Sequence, residues 1–274
     1  MNKVSPIGVF DSGIGGLSVL KQLMRFLPNE KFIYLGDTAR VPYGNRTPEI
    51  IRQYSKECTK FLIEKGVKLI VVACNTASSV ALDAIRSISD VPVIGMIQPA
   101  AIAAIRATNN GKIGIIGTRA TIASKSYSNG ILGLPDSNKV ELISVACPLF
   151  VPLVEEGWLR HAVTRQVAVE YLSPLIENKT DTIILGCTHY PLLLPLLNEL
   201  MLGVTFIDSG EHASVASLRQ LAELDLLSGE STELLKKPEI KFYVTDVPTQ
   251  FIDTALRFLG FATEHPEIVD ISSI

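Results

Sequence analysis

Short apolar stretches alternate along the chain with longer segments in which apolar residues recur every three or four positions. The short stretches lie at 4–10, 32–35, 69–73, 93–96, 113–116, 140–145, 182–185, 204–207 and 241–244. They are rich in Val and Ile and bounded by Gly, Pro, Asp or Thr, which predicts strands. Several are apolar at nearly every position, as in a parallel sheet covered on both faces. The longer segments, 16–26, 48–65, 77–87, 98–107, 160–176, 191–201 and 213–227, carry the helical period. Strand–helix alternation over a whole chain predicts α/β layers, with mostly parallel sheets flanked by helices.

A faint internal repeat overlies this pattern. Ile7-Gly8-Val9-Phe10 followed by Asp11-Ser12 is echoed 106 residues later by Ile113-Gly114-Ile115-Ile116 followed by Gly117-Thr118. The run from Leu69 to Cys74-Asn75-Thr76 is echoed, at an offset of 113 residues, by the run from Thr182 to Cys187-Thr188-His189. Two similar offsets point to two related halves of about four strands each, although βαβ units resemble one another in any case. No Pro-, Gly- or Ser-rich linker marks a boundary, which is placed near residues 97–99.

Composition narrows the class. Of 274 residues, 47% are hydrophobic and 19% charged, below the ~25% charged residues usual in soluble domains, which argues for much buried surface and against disorder. Net charge is −3 with no Lys/Arg-rich run, so neither nucleic acid nor an acidic membrane is an expected partner. The apolar runs fall far short of the ~18 residues of a membrane span, and polar Asp11-Ser12-Gly13 arrives before a signal-peptide core forms, so a cytoplasmic protein is expected. Four cysteines are too few for a disulfide framework and are expected to act, if at all, as thiols.

In open parallel sheets, ligands bind beyond the carboxyl ends of strands. The residues expected there are Asp11-Ser12-Gly13-Ile14-Gly15-Gly16, Asp37-Thr38 with Pro42-Tyr43-Gly44 beyond, Cys74-Asn75-Thr76, Gly117-Thr118 and Cys187-Thr188-His189. The glycine run resembles a dinucleotide loop with Asp37 as its ribose acid, but the third glycine position is Ser18 and Asp11 would face the pyrophosphate. A tight strand-to-helix turn is the simpler reason for Gly15 and Gly16.

Cys74 and Cys187 each follow an apolar strand and open a helix, where backbone N–H groups favour a thiolate. Their equivalent places in two halves predict two thiols across one cleft. Cys58, inside a helix, reads as packing; Cys147, at a strand end, is open between packing and chemistry. Zinc would need four ligands, and the spacing supplies no such set, so no metal is expected. A thiol hydrolase with Cys187 or Cys74 as nucleophile and His189 as base leaves the other cysteine idle. On the sequence alone Glu155 reads first as a solvated helix charge, and His189 as a functional group before a structural histidine.

The segments Phe10–Gly16, Gly36–Gly44, Ala73–Ser78 and Gly186–Pro191 resemble, in order and spacing, the signature segments of bacterial glutamate racemases. The resemblance runs from Ile7 to about Gly210. It implies two similar α/β domains with the active site in the cleft between them, and a first domain that is discontinuous, 1–97 plus 210–274 around a second at 98–209. It implies interconversion of L- and D-glutamate without a cofactor, a homodimer, and a role in supplying D-glutamate for peptidoglycan. By position it makes Cys74 and Cys187 the two acid/bases, supported by Asp11, Glu155 and His189. Substrate contacts fall on Asp11, Ser12, Pro42, Tyr43, Gly44, Asn75, Thr76, Thr188 and His189. Thr118 is added from its strand-end position alone.

The chemistry accounts for these residue types. Racemisation removes the α-proton from one face of the carbon and returns a proton to the other, so two groups must flank it. A thiol, with a reference pKa of ≈ 8.5, is a weak base for so weak a carbon acid, and there is no electron sink. Positioning and neutral donors aimed at the substrate carboxylate, such as Asn75, Thr76, Thr118 and Thr188, must supply the rest.

Overall fold

Each predicted strand takes a place in one of two parallel sheets. A computed structural model of the chain describes residues 2–229, 238–247 and 251–272. Its strands are β1 (Ile7–Asp11), β2 (Phe32–Gly36), β3 (Leu69–Val72), β4 (Val93–Gly95), β5 (Lys112–Gly117), β6 (Glu141–Ala146), β7 (Thr182–Gly186), β8 (Thr205–Asp208), β9 (Ile240–Val244) and β10 (Glu267–Ile268). The order is β10-β9-β2-β1-β3-β4 in the first sheet and β6-β5-β7-β8 in the second, parallel throughout.

The helices are α1 (Leu17–Phe26), α2 (Pro48–Glu64), α3 (Asn75–Val80), α4 (Leu82–Arg86), α5 (Ile97–Ala107), α6 (Arg119–Ala123), α7 (Ser126–Leu132), α8 (Phe150–Glu155), α9 (Ala162–Glu177), α10 (Leu194–Leu200), α11 (Ser209–Glu223) and α12 (Phe251–Leu259). The predicted helix over 77–87 is two helices, because Ala81 leaves the helical region at φ −120°. The helices α6, α7, α8 and α12 and the short β10 come without a sequence prediction. The first three are five to seven residues long, too short to display a period. In α12, by contrast, Phe251, Ala255, Phe258 and Leu259 are buried at helical spacing.

The two sheets repeat one plan. β2-β1-β3-β4 corresponds strand for strand to β6-β5-β7-β8, with Ile7 of β1 and Ile113 of β5 at equivalent places, as are Leu69 of β3 and Thr182 of β7. Late in the chain, β9 pairs with β2 and extends the first sheet. Within the segment 210–274 expected to join the first half, residues 230–237, 248–250 and 273–274 lie outside the described residues. One hydrophobic cluster joins Leu17 and Leu20 of α1 to Leu185, Leu193 and Phe258, and so spans both sheets, while each sheet also has a cluster of its own on its other face.

At the amino-terminal edge of the first sheet, just before β3 and β2, Lys68 and Glu30 form a fully buried ion pair, Nζ to Oε2 2.6 Å. Lys68 also donates to the carbonyls of Lys3 and Leu226, and Glu30 accepts from the Ser228 N–H and hydroxyl. A buried ion pair costs much desolvation, and removing one partner strands the other charge. Lys68→Met should therefore lower unfolding free energy by about 3–5 kcal/mol in a denaturant titration. Loss of less than 1 kcal/mol would show that the pair is not a structural tie.

Candidate active site

In both sheets the chain lays its second and third strands on opposite sides of the first, so β1 lies between β2 and β3, and β5 between β6 and β7. Loops leaving the carboxyl ends at such a switch point diverge and open a crevice. These loops carry Ser12-Gly13, Cys74-Asn75-Thr76, Thr118 and Cys187-Thr188-His189. They face one another across a cleft of about 410 Å³, which Pro42-Tyr43-Gly44 from the first half and Glu155 of α8 also line. The structure thus brings every sequence-predicted site residue to one cleft except Asp11, which lies beneath its floor, 1% exposed.

The first half supplies the Cys74 wall. Cys74 precedes α3 and its Sγ accepts the Ala77 N–H at 3.4 Å, while its thiol donates to Ser12 Oγ at 3.5 Å. Burial, and then the nearby Asp11 charge, push this thiol up to about 12, against the pull of the Ala77 and Ser12 hydrogen bonds. Asp11 Oδ2 accepts the Gly13 N–H at 3.0 Å, and Oδ1 has no hydrogen-bond partner among the described residues. Burial also raises the Asp11 carboxyl, opposed by the charge of His189 and by backbone N–H groups.

The second half supplies the Cys187 wall. Cys187 Sγ lies 3.8 Å from His189 Nδ1, and His189 Nε2 lies 3.0 Å from Glu155 Oε1. Burial works against the imidazolium, but the hydrogen bonds and charges of Cys187 and Glu155 outweigh it and hold the pKa up at about 10. As an imidazolium the ring donates from both nitrogens, one toward sulfur and one toward the carboxylate. The imidazole thus bridges the Cys187 sulfur and the Glu155 carboxylate at the cleft.

Neutral donors fill the space between. The hydroxyls of Thr76, Thr118 and Thr121 form a triangle with edges of 3.0, 3.2 and 2.9 Å, joining the two halves. Asn75 is oriented by the Tyr127 hydroxyl on its Oδ1 (2.5 Å) and by Ser209, to which its Nδ2 donates (3.2 Å). Only one of its two amide protons is left for a ligand. Tyr43 presents no free hydroxyl, since it donates to Asp37, so its backbone and ring are what it offers the cleft.

The same contacts replace the ribose reading of Asp37. That carboxylate is fully buried and accepts from Arg40 at 2.9 and 2.8 Å, from Thr245 at 3.0 Å and from Tyr43. It braces the turn that carries Pro42-Tyr43-Gly44. Gly15, in turn, serves more than a tight turn: a Cβ there would meet His189 Cε1 and Thr188 Oγ1, both at 2.4 Å. Arg119, Pro148, Leu149 and Val151 also line the cleft without having been singled out. Arg119 was legible as the residue after Thr118; the others follow β6, an edge strand with no polar signature. Among the described residues, no three His, Cys, Asp or Glu side chains are grouped to hold a metal ion, and no helix is long and apolar enough to cross a membrane.

Residues 7–216 match the Asp/Glu/hydantoin racemase family. The chain is 46% identical over 265 residues to the glutamate racemase of Syntrophus aciditrophicus, covering 95% of this chain and 96% of that one. Its fold superposes on the glutamate racemase of Francisella tularensis, solved in complex with D-glutamate, with a TM-score of 0.90 at 39% identity, covering 99% and 100% of the two chains. The Thermus thermophilus glutamate racemase, solved with β-chloro-D-alanine, gives 0.87 at 41% identity, with both chains fully covered. With the sheet plan, the strand-end signatures and these matches in agreement, the chain belongs to the Asp/Glu/hydantoin racemase family of enzymes and groups with its glutamate racemases.

Proposed function

We propose that this protein interconverts L- and D-glutamate with Cys74 and Cys187 as two acid/bases on opposite faces of the α-carbon, and that it uses no cofactor. The observation that carries this reading is the placement of both thiols at the ends of equivalent strands, β3 and β7, lining one cleft. The high pKa of Cys74 favours a thiol there at neutral pH, and the His189 imidazolium lies 3.8 Å from the Cys187 sulfur. For L-glutamate, Cys187 takes the α-proton and Cys74 returns one from the other side. For D-glutamate the two protonation states exchange.

The substrate ammonium is assigned to Ser12 and the Asp11 beneath it, where its charge offsets the one that raises Cys74. The α-carboxylate, where negative charge grows, is assigned to Asn75, Thr76 and Thr188, and the side-chain carboxylate to Pro42-Tyr43-Gly44 and Thr118. Neutral donors stabilise that charge without pairing with the thiolate. The domain division 1–97 plus 210–274 against 98–209, a homodimer, a cytoplasmic site and the supply of D-glutamate for peptidoglycan complete the reading. They follow from what the resemblance implies.

The Cys187–His189–Glu155 line also has the form of a thiol hydrolase, a nucleophile with a base and an orienting carboxylate. The two readings part at Cys74, which a hydrolase does not need.

Purified protein given L-glutamate in heavy water, without additions, should lose the circular dichroism of the substrate as its α-proton signal disappears from the NMR spectrum. L-Aspartate should react far more slowly. Dependence on added nicotinamide or pyridoxal phosphate would refute the reading.

Cys74→Ser and Cys187→Ser should each reduce racemisation at least ~10³-fold with the fold intact, while Cys58→Ala, whose side chain is buried beside Tyr43, should stay within about threefold. On a glutamate analogue carrying a halide on Cβ, loss of the α-proton forms the Cα=Cβ bond and expels halide, with one base and no reprotonation. Cys187→Ser should impair elimination from the L-analogue more than from the D-analogue, and Cys74→Ser the reverse. Equal losses on both enantiomers in both variants would mean that the thiols are not divided between faces.

A further inference from the structure

The Cys187 wall is also contacted by α12. Two consecutive residues of that helix reach the Glu155–His189 pair, one at each member. Arg257 Nη1 donates to the carbonyls of Val154 (3.2 Å) and Glu155 (2.6 Å). Phe258 sets its ring edge-on to the His189 imidazole, centroids 5.4 Å apart at 88°.

The chemistry of a helix end explains the first contact. α8 has six residues, and its last carbonyls have no intrahelical partner. Gly157, in the left-handed region at φ +74°, closes the helix by returning its N–H to the Val154 carbonyl at 3.0 Å, and the Trp158 N–H returns to Leu153 at 2.9 Å. The Glu155 carbonyl is left for Arg257. A Cβ at residue 157 would lie 3.1 Å from the guanidinium carbon, so the glycine both ends the helix and admits the arginine. The body of α8 does not depend on this bond. Phe150 is buried edge-on between Tyr171 and Tyr190, and Val154 is buried in the core. What Arg257 fixes is the final turn, the one that carries Glu155.

We propose that Arg257 is a positioning residue for the Cys187 half of the reaction: by holding the backbone of Glu155, it sets the Glu155–His189 distance at which the imidazole supports the Cys187 thiolate. Phe258 fixes the plane of the same ring. This rests on the two-thiol reading above. The charged groups that face His189 are Cys187 from the loop after β7, Glu155 from α8 and Asp11 from the end of β1. Cys74 sits in the other wall and has no contact with α8 or α12 among its hydrogen-bond partners, so the effect of Arg257 is confined to one face of the substrate.

The test compares Arg257→Met, Arg257→Gln and Arg257→Lys in the full-length enzyme on the L- and D-forms of the β-halo glutamate analogue, with Cys187→Ser in parallel. A shift of ~1 Å in a supporting group costs up to about 10²-fold in rate. Arg257→Met should lose about tenfold in elimination from the L-analogue and less than about twofold from the D-analogue. Arg257→Lys, which keeps one donor for the Glu155 carbonyl, should recover to within about threefold of the parent. Arg257→Gln preserves the comparison if the Met variant does not fold. In the folded variants, the His189 imidazole followed by NMR should titrate lower than in the parent enzyme, because its hydrogen bond to Glu155 loosens. Equal losses on both enantiomers with an unmoved His189 titration, while Cys187→Ser remains selective for the L-analogue, would overturn the role of Arg257 and leave the two-thiol reading standing. If Cys187→Ser shows no selectivity, both fall together.

Discussion

The loop after β1 presses against the loop after β7 at a distance only glycine permits. With hydrogen alone on Gly15, the His189 ring and the Thr188 hydroxyl lie where a Cβ would come within 2.4 Å of each. Ser18, three residues on, has its one hydroxyl proton within reach of the Thr188 carbonyl at 2.7 Å and the Gly15 carbonyl at 2.9 Å. The contact is buried, and losing it would leave these groups without water to replace it. This contact sets how closely the two halves approach. The cleft width, the facing of Cys74 and Cys187, and the influence of His189 on Asp11 all depend on it.

Within that frame the two thiols occupy different electrostatic surroundings. Cys74 has a buried carboxylate nearby and no cation at its sulfur; Cys187 has an imidazole at 3.8 Å, itself tied to a half-exposed carboxylate. A symmetric backbone plan therefore carries an asymmetric charge distribution. The asymmetry has a cost. Asp11 is buried with one oxygen unpartnered, and an unsatisfied buried polar atom costs about 1–3 kcal/mol. Stability is given up where a ligand group of opposite charge is expected to restore it.

The remaining walls are fixed by groups that never need to touch a ligand. Asp37 gathers Arg40, Tyr43 and Thr245 and so ties the turn at residues 42–44 to β9. Arg40 continues the network to Glu57 on α2 and lies over the Tyr54 ring at 4.0 Å. Tyr127 and Ser209 hold the Asn75 amide from the second half. Preorganised donors of this kind lose little entropy on binding.

The sequence by itself determined the layer architecture and which strand-end residues would meet at one edge of the sheets. Strands 69–73 and 182–185 were legible because runs of Val, Ile and Leu ending in Cys read the same in any context, and the paired cysteines followed from them. The residues at strand ends were legible because parallel sheets open at that edge whatever their detailed packing. Glu155 was not separable from a solvated charge, because its partner His189 is 34 residues away and meets it only through the packing of α8. Nor did Asp37 reveal its neighbours: a carboxylate at a strand end suits a ribose as well as an arginine until Arg40, Tyr43 and Thr245 close around it. The pairing of β9 with β2, the α12 contacts at His189, and the need for glycine at 15 arise between segments far apart in the chain. A local pattern records which face of an element is apolar; it does not record which distant element covers that face, and the tertiary structure alone decided that.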